Sequence, residues 1–358
     1  MENNSYSAKN ILVINLGGIG DILLCTPALR AIYRQYPRSY IALLTVPRSV
    51  DMIKNSPYIS DIFIFKGSLI ERLITLFRLR FKRFGFAINM RTVGSFSGAL
   101  KMLLLMRIIR PKMSVGRNTE GRGFFYDIKI PETYKDAKHE LEYCLDLVKS
   151  LGAAAKDGRL DCPITKRDTT YIDRFLAQHG INEFDTIIGI SPGAPWMAKR
   201  WGIGRFKDVA RILSNSGHKV VIMGTKEEIY IKNEFTKNCD FQYVDAVGAT
   251  SLNQLCALIK RCSIHITNDT GSMHIAAAVG TPVIAIFGSS HLEGFDPRKI
   301  TNDAYVFYNK INCSPCEKRY CPSMRCFDSI EAKDVAEKAL EMLQLANRGG
   351  RKRKNPDI

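Results

Sequence analysis

Four polar stretches of the chain carry residue types that could hold a phosphate or move a proton. The first is Asn268-Asp269-Thr270-Gly271-Ser272-Met273-His274, set between an apolar run at 262–267 and a small-residue stretch ending at Val279. A buried strand, a polar turn and a helix start aim unsatisfied backbone N–H groups and the positive helix end at one point, and the usual occupant of such a point is an anion. The second is Ser191-Pro-Gly-Ala-Pro-Trp-Met-Ala-Lys199-Arg200-Trp201. Lys199 as a point charge and Arg200 as a fork suit phosphate oxygens. The plainer reading is a solvated basic loop, although both tryptophans of the chain fall within it. The third is Gly17-Gly18-Ile19-Gly20-Asp21. Its glycine spacing fits neither the dinucleotide fingerprint nor a P-loop. Asp21 is either the carboxylate that caps the following helix or a general base, and spacing alone favours the cap. The fourth is Gly224-Thr-Lys-Glu227-Glu228, where either acid could accept from a ribose or simply suit a first helical turn.

Four of the ten cysteines form a separate group, Cys313-x2-Cys316-x4-Cys321-x4-Cys326. Four thiols are enough for tetrahedral zinc, but only the first pair has a short knuckle, so free or redox-labile thiols are the preferred reading. Lys318, Arg319 and Arg325 could lower their pKa values.

The elements that must position these residues follow one pattern. Buried strands are predicted at 10–16, 41–45, 62–65 and 86–90, with a helix at 22–36. The pattern restarts at 186–191 and continues with a helix at 205–214, a strand at 219–223 and helices near 227–238 and at 252–260. Strand 262–267, helix 272–279 and strand 283–287 complete it. Short buried strands alternating with helices predict parallel, doubly wound sheets, hence two Rossmann-like domains facing a central cleft. The domain boundaries are placed at 1–165 and 166–330, with a strand-like segment at 159–164. A closing helix over 331–347 is expected to pack back on the first domain, and a disordered basic tail follows at 348–358.

Composition narrows the function classes. With 358 residues there is room for two full cores, and 46% hydrophobic with 24% charged residues is ordinary for a globular protein. The net charge of +17 is not ordinary and favours an anionic partner. No recognised nucleic-acid motif accompanies it, so no nucleic acid is expected. The first ten residues hold no apolar signal region, and no run approaches the roughly 18 apolar residues of a membrane span, which predicts a cytoplasmic protein. Two blocks at 68–84 and 99–110 mix apolar residues at helical spacing with arginine and lysine. They read either as core helices with a solvated face or as contacts to an anionic inner-membrane surface.

Taken together, the chain resembles glycosyltransferase family 9, the ADP-heptose:lipopolysaccharide heptosyltransferases and their relatives. Three ordered blocks carry the resemblance: Leu16-Gly-Gly-Ile-Gly-Asp-Ile-Leu-Leu-Cys-Thr-Pro-Ala-Leu29, Pro192-Gly-Ala-x3-Ala-Lys-Arg-Trp201 with Arg205-Phe206, and Thr267-Asn-Asp-Thr-Gly-Ser-Met-His-Ile-Ala-Ala-Ala-Val-Gly-Thr-Pro282. Cys313-Ser-Pro-Cys316 is similar to a C-terminal feature of many members. The resemblance implies a GT-B fold with the donor nucleotide in the second domain and the acceptor toward the first. It implies inverting transfer of a heptose or related sugar from a nucleotide-sugar, without a required cofactor or metal, to a lipopolysaccharide core or similar lipid-linked glycan. It makes Asp21 the general base, reversing the preference that spacing gave, and lets Lys199 neutralise the leaving diphosphate. Asp269, Thr270, Gly271 and His274 would line the donor site, Glu228 or Glu227 would meet the ribose, and Gly18, Gly20, Ser191 and Arg200 would complete the donor contacts. Two other readings stay open at this point, a GT-B-fold sugar-nucleotide epimerase and a non-catalytic glycan-binding protein.

Overall fold

The computed structural model describes residues 10–135 and 137–348. They form two compact units with the boundary between Pro163 and Ile164.

The first unit runs β1 (Asn10–Asn15), α1 (Ile19–Gln35), β2 (Tyr40–Thr45), α2 (Pro47–Ile53), β3 (Asp61–Ile64) and α3 (Leu69–Phe81). It continues with β4 (Phe86–Asn89), α4 (Phe96–Ile109), β5 (Met113–Thr119), β6 (Ile128–Glu132) and α5 (Glu140–Lys149). All six strands pair in parallel in the order β3-β2-β1-β4-β5-β6. The central strand β1 is apolar on both faces because helices cover both. Leu12 and Ile14 pack with Leu76 and Leu79 of α3 and with Leu105, Met106 and Ile109 of α4, so Ile11 and Val13, alternating, point to the opposite layer. Ser68 starts α3 with a capping box to Glu71.

The second unit runs α6 (Lys166–Gln178), β7 (Ile187–Ser191), α7 (Ile203–Asn215), β8 (Lys219–Gly224), α8 (Ile229–Thr236), β9 (Val244–Val247) and α9 (Leu252–Arg261). Then follow β10 (Ile264–Asn268), α10 (Gly271–Val279), β11 (Val283–Phe287), α11 (Leu292–Phe295), β12 (Ala304–Tyr308) and α12 (Ala332–Arg348). Its strand order is β12-β11-β10-β7-β8-β9, again all parallel.

In each sheet the chain builds outward in one direction and then restarts in the other, which leaves a switch point between two central strands. Those pairs are β1 and β4 in the first unit and β7 and β10 in the second. Open α/β sheets bind ligands just beyond the carboxyl ends of such a pair.

Three expectations need correction or completion. Residues 159–164 form no strand. Pro163 removes a donor, and the segment is held instead by the Arg30 guanidinium, which donates to Asp161 and Asp157 and to the Arg159 carbonyl. The closing helix, α12, packs within the second unit. Val335, Ala336, Ala339 and Leu343 face the second unit's own core, against Phe206, Val209 and Leu213 of α7. The helix predicted near 227–238 begins as a 3-10 turn, Lys226–Glu228, and becomes α-helical only at Ile229. The basic tail lies outside the described residues apart from Arg348, the end of α12.

Candidate functional site

At the second unit's switch point Ser191 and Thr267 are register partners, so the loops that follow them begin side by side. Asn268, fully buried, ties them together: its side-chain amide donates to the Pro192 carbonyl at 2.8 Å, and its Oδ1 accepts from the Trp201 N–H at 3.1 Å. Trp201 is itself buried, with its indole N–H on the Ile330 carbonyl. This brace carries the intervening loop over the end of β10. There the Lys199 ammonium meets Asp269 Oδ2 at 2.6 Å and lies over the rings of Trp196 and Phe295, at 5.0 and 5.7 Å. The two residues are 70 positions apart in sequence.

Helix α10 starts immediately after Asp269. Its N-cap, Thr270, makes no side-chain capping bond and instead shares hydroxyl contacts with Ser272 and Thr267. The first-turn N–H groups of α10 and the ammonium of Lys199 therefore lie together at this strand end, the kind of arrangement that suits an anion. His274, on the first turn, is buried with its ring against Phe295.

Glu228 closes the next side. It caps its turn through the Thr225 N–H at 2.9 Å, and its carboxylate fills the space that a Cβ on Gly193 would occupy. A side chain at 193 would push the carboxylate off the end of β7. The structure thus separates the two acids: Glu228 approaches the switch point, and Glu227 is exposed. Arg200 turns away from Lys199, donating to the Ala194 carbonyl at 2.7 Å and stacking on Tyr230. Ser289 and Ser290, missed in the sequence, follow β11 after Gly288, and their buried hydroxyls have no partner among the described residues. Their position one strand beyond β10 was the available signal. An open cavity of about 630 Å³ lies at the other end of this sheet, beside Lys219 and Val244 where β8 and β9 begin. It is remote from these strand ends and has no part in the arrangement.

The first unit repeats the design. Asn15 ends β1, accepting from the Gly17 N–H and donating to the Asp21 carbonyl, each at 3.0 Å. Asp21 accepts from the Gly18 N–H at 2.6 Å through Oδ2, and Gly17 has no side chain because Asp21 lies where a Cβ would go. The capping role read from spacing is therefore real, and it leaves Oδ1 for a second partner, Arg91. Arg91 follows β4, and Asn89 at the strand end holds its backbone through both side-chain functions. Gly18 and Gly20 are backbone positions of the same turn, Gly20 already within α1.

Behind Arg91 lies a buried charge array. Glu140 Oε2 stands 3.7 Å from Arg91 and 2.8 Å from the fully buried Arg117, which also reaches Glu132 at 3.3 Å. Burial by itself would raise the Glu140 carboxyl, and the charges of Arg117 and Arg91 overcome it to hold the group below the ordinary range. Glu140→Gln leaves Arg117 underpaired, so we expect a loss of about 3 kcal/mol or more, read as a fall in Tm. A carboxyl depressed in the folded state contributes stability above its unfolded pKa and loses it as pH falls through the folded value. The gap between wild type and variant should therefore narrow as pH drops below about 4; a gap independent of pH would refute the assignment.

Among the described residues no group of three or more His, Cys, Asp or Glu is placed to hold a metal ion. Of the four clustered cysteines, Cys313 is exposed and Cys326 buried. Burial pushes the Cys326 thiol up to about 11, and the Ser323 hydroxyl with the Met324 N–H lowers that of Cys321. The segment acts as a brace. The N–H groups of Cys316 and Glu317 donate to the Ser289 carbonyl, and the Arg319 carbonyl accepts from Ala198 in the lysine loop.

Each unit thus gathers one charged pair at its switch point: Asp21 with Arg91 in the first, and Lys199 with Asp269 beside the start of α10 in the second. Residues 75–326 match the model of glycosyltransferase family 9 (heptosyltransferase), which is more than half of the chain. The chain belongs to glycosyltransferase family 9. It is therefore a glycosyltransferase, and its α/β, GT-B-type fold class agrees with the two Rossmann-like sheets described above. Lipooligosaccharide heptosyltransferase 2 of Campylobacter jejuni (serotype O:2) is 25% identical over 333 residues, covering 91% of this chain and 96% of that relative. The crystal structure of a family 9 glycosyl transferase from Veillonella parvula superposes with a TM-score of 0.79 at 22% identity, over 96% of this chain and 99% of that one. The E. coli ADP-heptose lps heptosyltransferase II gives 0.73 at 21%, over 94% and 99%. In family 9 terms, the two motifs that begin at Gly17 and Asp269 stand at equivalent switch points of two sheets.

Proposed function

We propose that this family 9 enzyme transfers a heptose from ADP-heptose to a lipopolysaccharide core or similar lipid-linked glycan. The transfer proceeds with inversion and needs no metal, at the cytoplasmic face of the inner membrane. The named specificities of the relatives support the donor and acceptor classes. The observation that carries the chemistry is the Lys199–Asp269 pair at the start of α10. It puts an ammonium beside uncapped helix amides, where a leaving diphosphate gathers charge. That is the task a divalent ion performs elsewhere.

In this reading Asp21 takes the proton of the acceptor hydroxyl. The freed oxygen attacks the anomeric carbon, the bond from that carbon to the diphosphate breaks, and ADP leaves toward Lys199 and α10. One displacement inverts the anomeric centre. Both Asp21 oxygens already accept one bond each, and each keeps a second lone pair for the incoming proton. Arg91 orients the carboxylate. Glu228 accepts from the ribose, His274, Thr270 and Gly271 line the donor, and Ser289 and Ser290 offer it their unpartnered hydroxyls.

The deciding experiment is thermal-shift binding against ADP-, UDP-, GDP- and CMP-linked sugars with EDTA present, followed by product analysis by mass spectrometry and anomeric NMR. Stabilisation by ADP-heptose and an inverted product support the reading. A different preferred nucleotide changes the donor, a retained anomer removes the single displacement, and sugar-nucleotide interconversion without acceptor makes the protein an epimerase.

Gly193→Ala tests the ribose contact. The added methyl displaces Glu228, a flexible side chain, so the fold should hold while donor KM rises about tenfold, the value of one hydrogen bond to a charged group. An unchanged KM would take Glu228 out of the donor site.

A further inference from the structure

The outer layer of the first unit departs from the usual pattern of a doubly wound fold, in which covering helices turn polar faces outward. Helix α3 is apolar on two sides. Leu76 and Leu79 enter the core, and a second stripe, Ile70, Leu73, Ile74, Phe77 and Phe81, faces out at 39 to 79% exposure. Its spacing of i, i+3, i+4, i+7 and i+11 makes one continuous ridge. Helix α4, packed beside α3 and joined to it by an Arg80 bond to the Ile108 carbonyl, adds exposed Phe96, Leu100 and Leu104 at i, i+4 and i+8. Eight large side chains on two neighbouring helices form a patch well beyond the scattered apolar residues of an ordinary surface.

The charges that α3, α4 and their flanking residues bring to that face are mostly cationic, with Asp61 on the neighbouring strand bonded to the Tyr40 hydroxyl. Between Lys66 and Lys112 the sequence holds eleven lysines and arginines and one acid, Glu71. Glu71 sits at the start of α3, engaged with Ser68. Arg72 and Arg78 lie over Phe65 and Phe63, and Lys82 over Tyr40, which fixes cations along the flank of the ridge. Arg83, Lys101 and Arg107 are exposed as well.

We propose that the outer face of α3 and α4 docks on an anionic lipid bilayer, with Ile70, Ile74, Phe77, Phe81, Phe96 and Leu104 entering the acyl boundary and the flanking cations at the headgroups. This deepens the reading of a lipid-linked acceptor and rests on it for its purpose, although the surface is argued from its own residues. Two apolar ridges with basic flanks are the form of an interfacial helix pair, and no helix among the described residues is long and apolar enough to cross a membrane. A second copy is the weaker match, because a two-fold contact would set each copy's cations against the same cations of the other. A soluble glycan offers the phenylalanines nothing to bury.

The test uses the full chain and sedimentation with vesicles of phosphatidylglycerol and phosphatidylethanolamine, or of phosphatidylcholine alone. Wild type should bind the anionic vesicles, more weakly as salt rises above about 0.1 M. Phe77→Ser with Phe81→Ser should lower binding at least about tenfold, with Tm unchanged because both residues are exposed. Arg83→Ser, Lys101→Ser and Arg107→Ser together should abolish the preference for anionic vesicles. Absent wild-type binding, binding indifferent to the serines, or a dimer that they dissociate without any vesicle binding would each overturn the proposal. Transfer to a delipidated acceptor should be the same in wild type and the double serine variant. Loss of the transferase reading would leave vesicle binding intact, so the two failures are distinguishable.

Discussion

Asp21→Asn should lower kcat by about 10³-fold, within the 10²–10⁴ expected of a positioned general base, while ADP-heptose binding, read by thermal shift, stays near wild type. Asparagine is the informative replacement because the proposed mechanism gives Asp21 a second job beside its cap. Its Oδ2 accepts from the Gly18 N–H at the start of α1, and an amide oxygen can continue to accept there. Alanine would remove the cap too, costing about 1 kcal/mol and mixing a folding effect into the kinetics. What asparagine cannot do is take the acceptor proton.

The surroundings of Asp21 make the result interpretable. Arg91 holds Oδ1, and Arg91 in turn faces Glu140, which is anchored by Arg117. An amide at position 21 therefore leaves Arg91 with an acidic neighbour, and the loop ends remain fixed by Asn15 and Asn89. A kcat within about tenfold of wild type would remove Asp21 from the base role and return it to the capping function that its spacing first suggested.

What could be read in the sequence, and what could not, divides along local and non-local lines. β1, β7, β10 and β11 are apolar runs ending at glycine or a polar turn, and their boundaries emerged within a residue or two. The helix after Asp269 was marked by its small residues and by the Gly280-Thr-Pro stop. β5 and β6 were missed because they do not look apolar: Arg117 points into a buried charge array from β5, and β6 carries Pro131. Asp21, Lys199, Asp269 and Glu228 were each named from local motifs. Arg91 was not, since it has no motif and meets Asp21 only because β4 pairs with β1. Strand order decides that pairing across 70 residues, just as it brings Lys199 to Asp269. The closing helix shows the same limit: its apolar stripe was legible, but not that it would cover the core beside α7.

Lys199→Ala should lower kcat by about 10²–10³-fold, the usual loss when one group aimed at developing charge is removed, and it should also raise the donor KM. The second effect comes from Asp269. In the wild type its buried carboxylate is neutralised by the ammonium at 2.6 Å. Without the lysine, a carboxylate stands at the N-terminus of α10, where the proposed mechanism places the diphosphate, and repels it. Lys199→Arg should restore little, because the ammonium lies over the rings of Trp196 and Phe295 and pairs with Asp269 as a point charge, and a planar fork has neither that shape nor that point charge. The double variant Lys199→Ala with Asp269→Asn separates the two contributions. Removing the repulsion should return donor KM toward wild type while kcat stays low, since no charge remains to meet the leaving group. The coupling between the two positions should then be of the opposite sign in KM to a simple sum of the single losses. If the double variant instead loses both parameters additively, Asp269 contacts the donor on its own account. The ion pair would then be a resting-state contact that the substrate breaks.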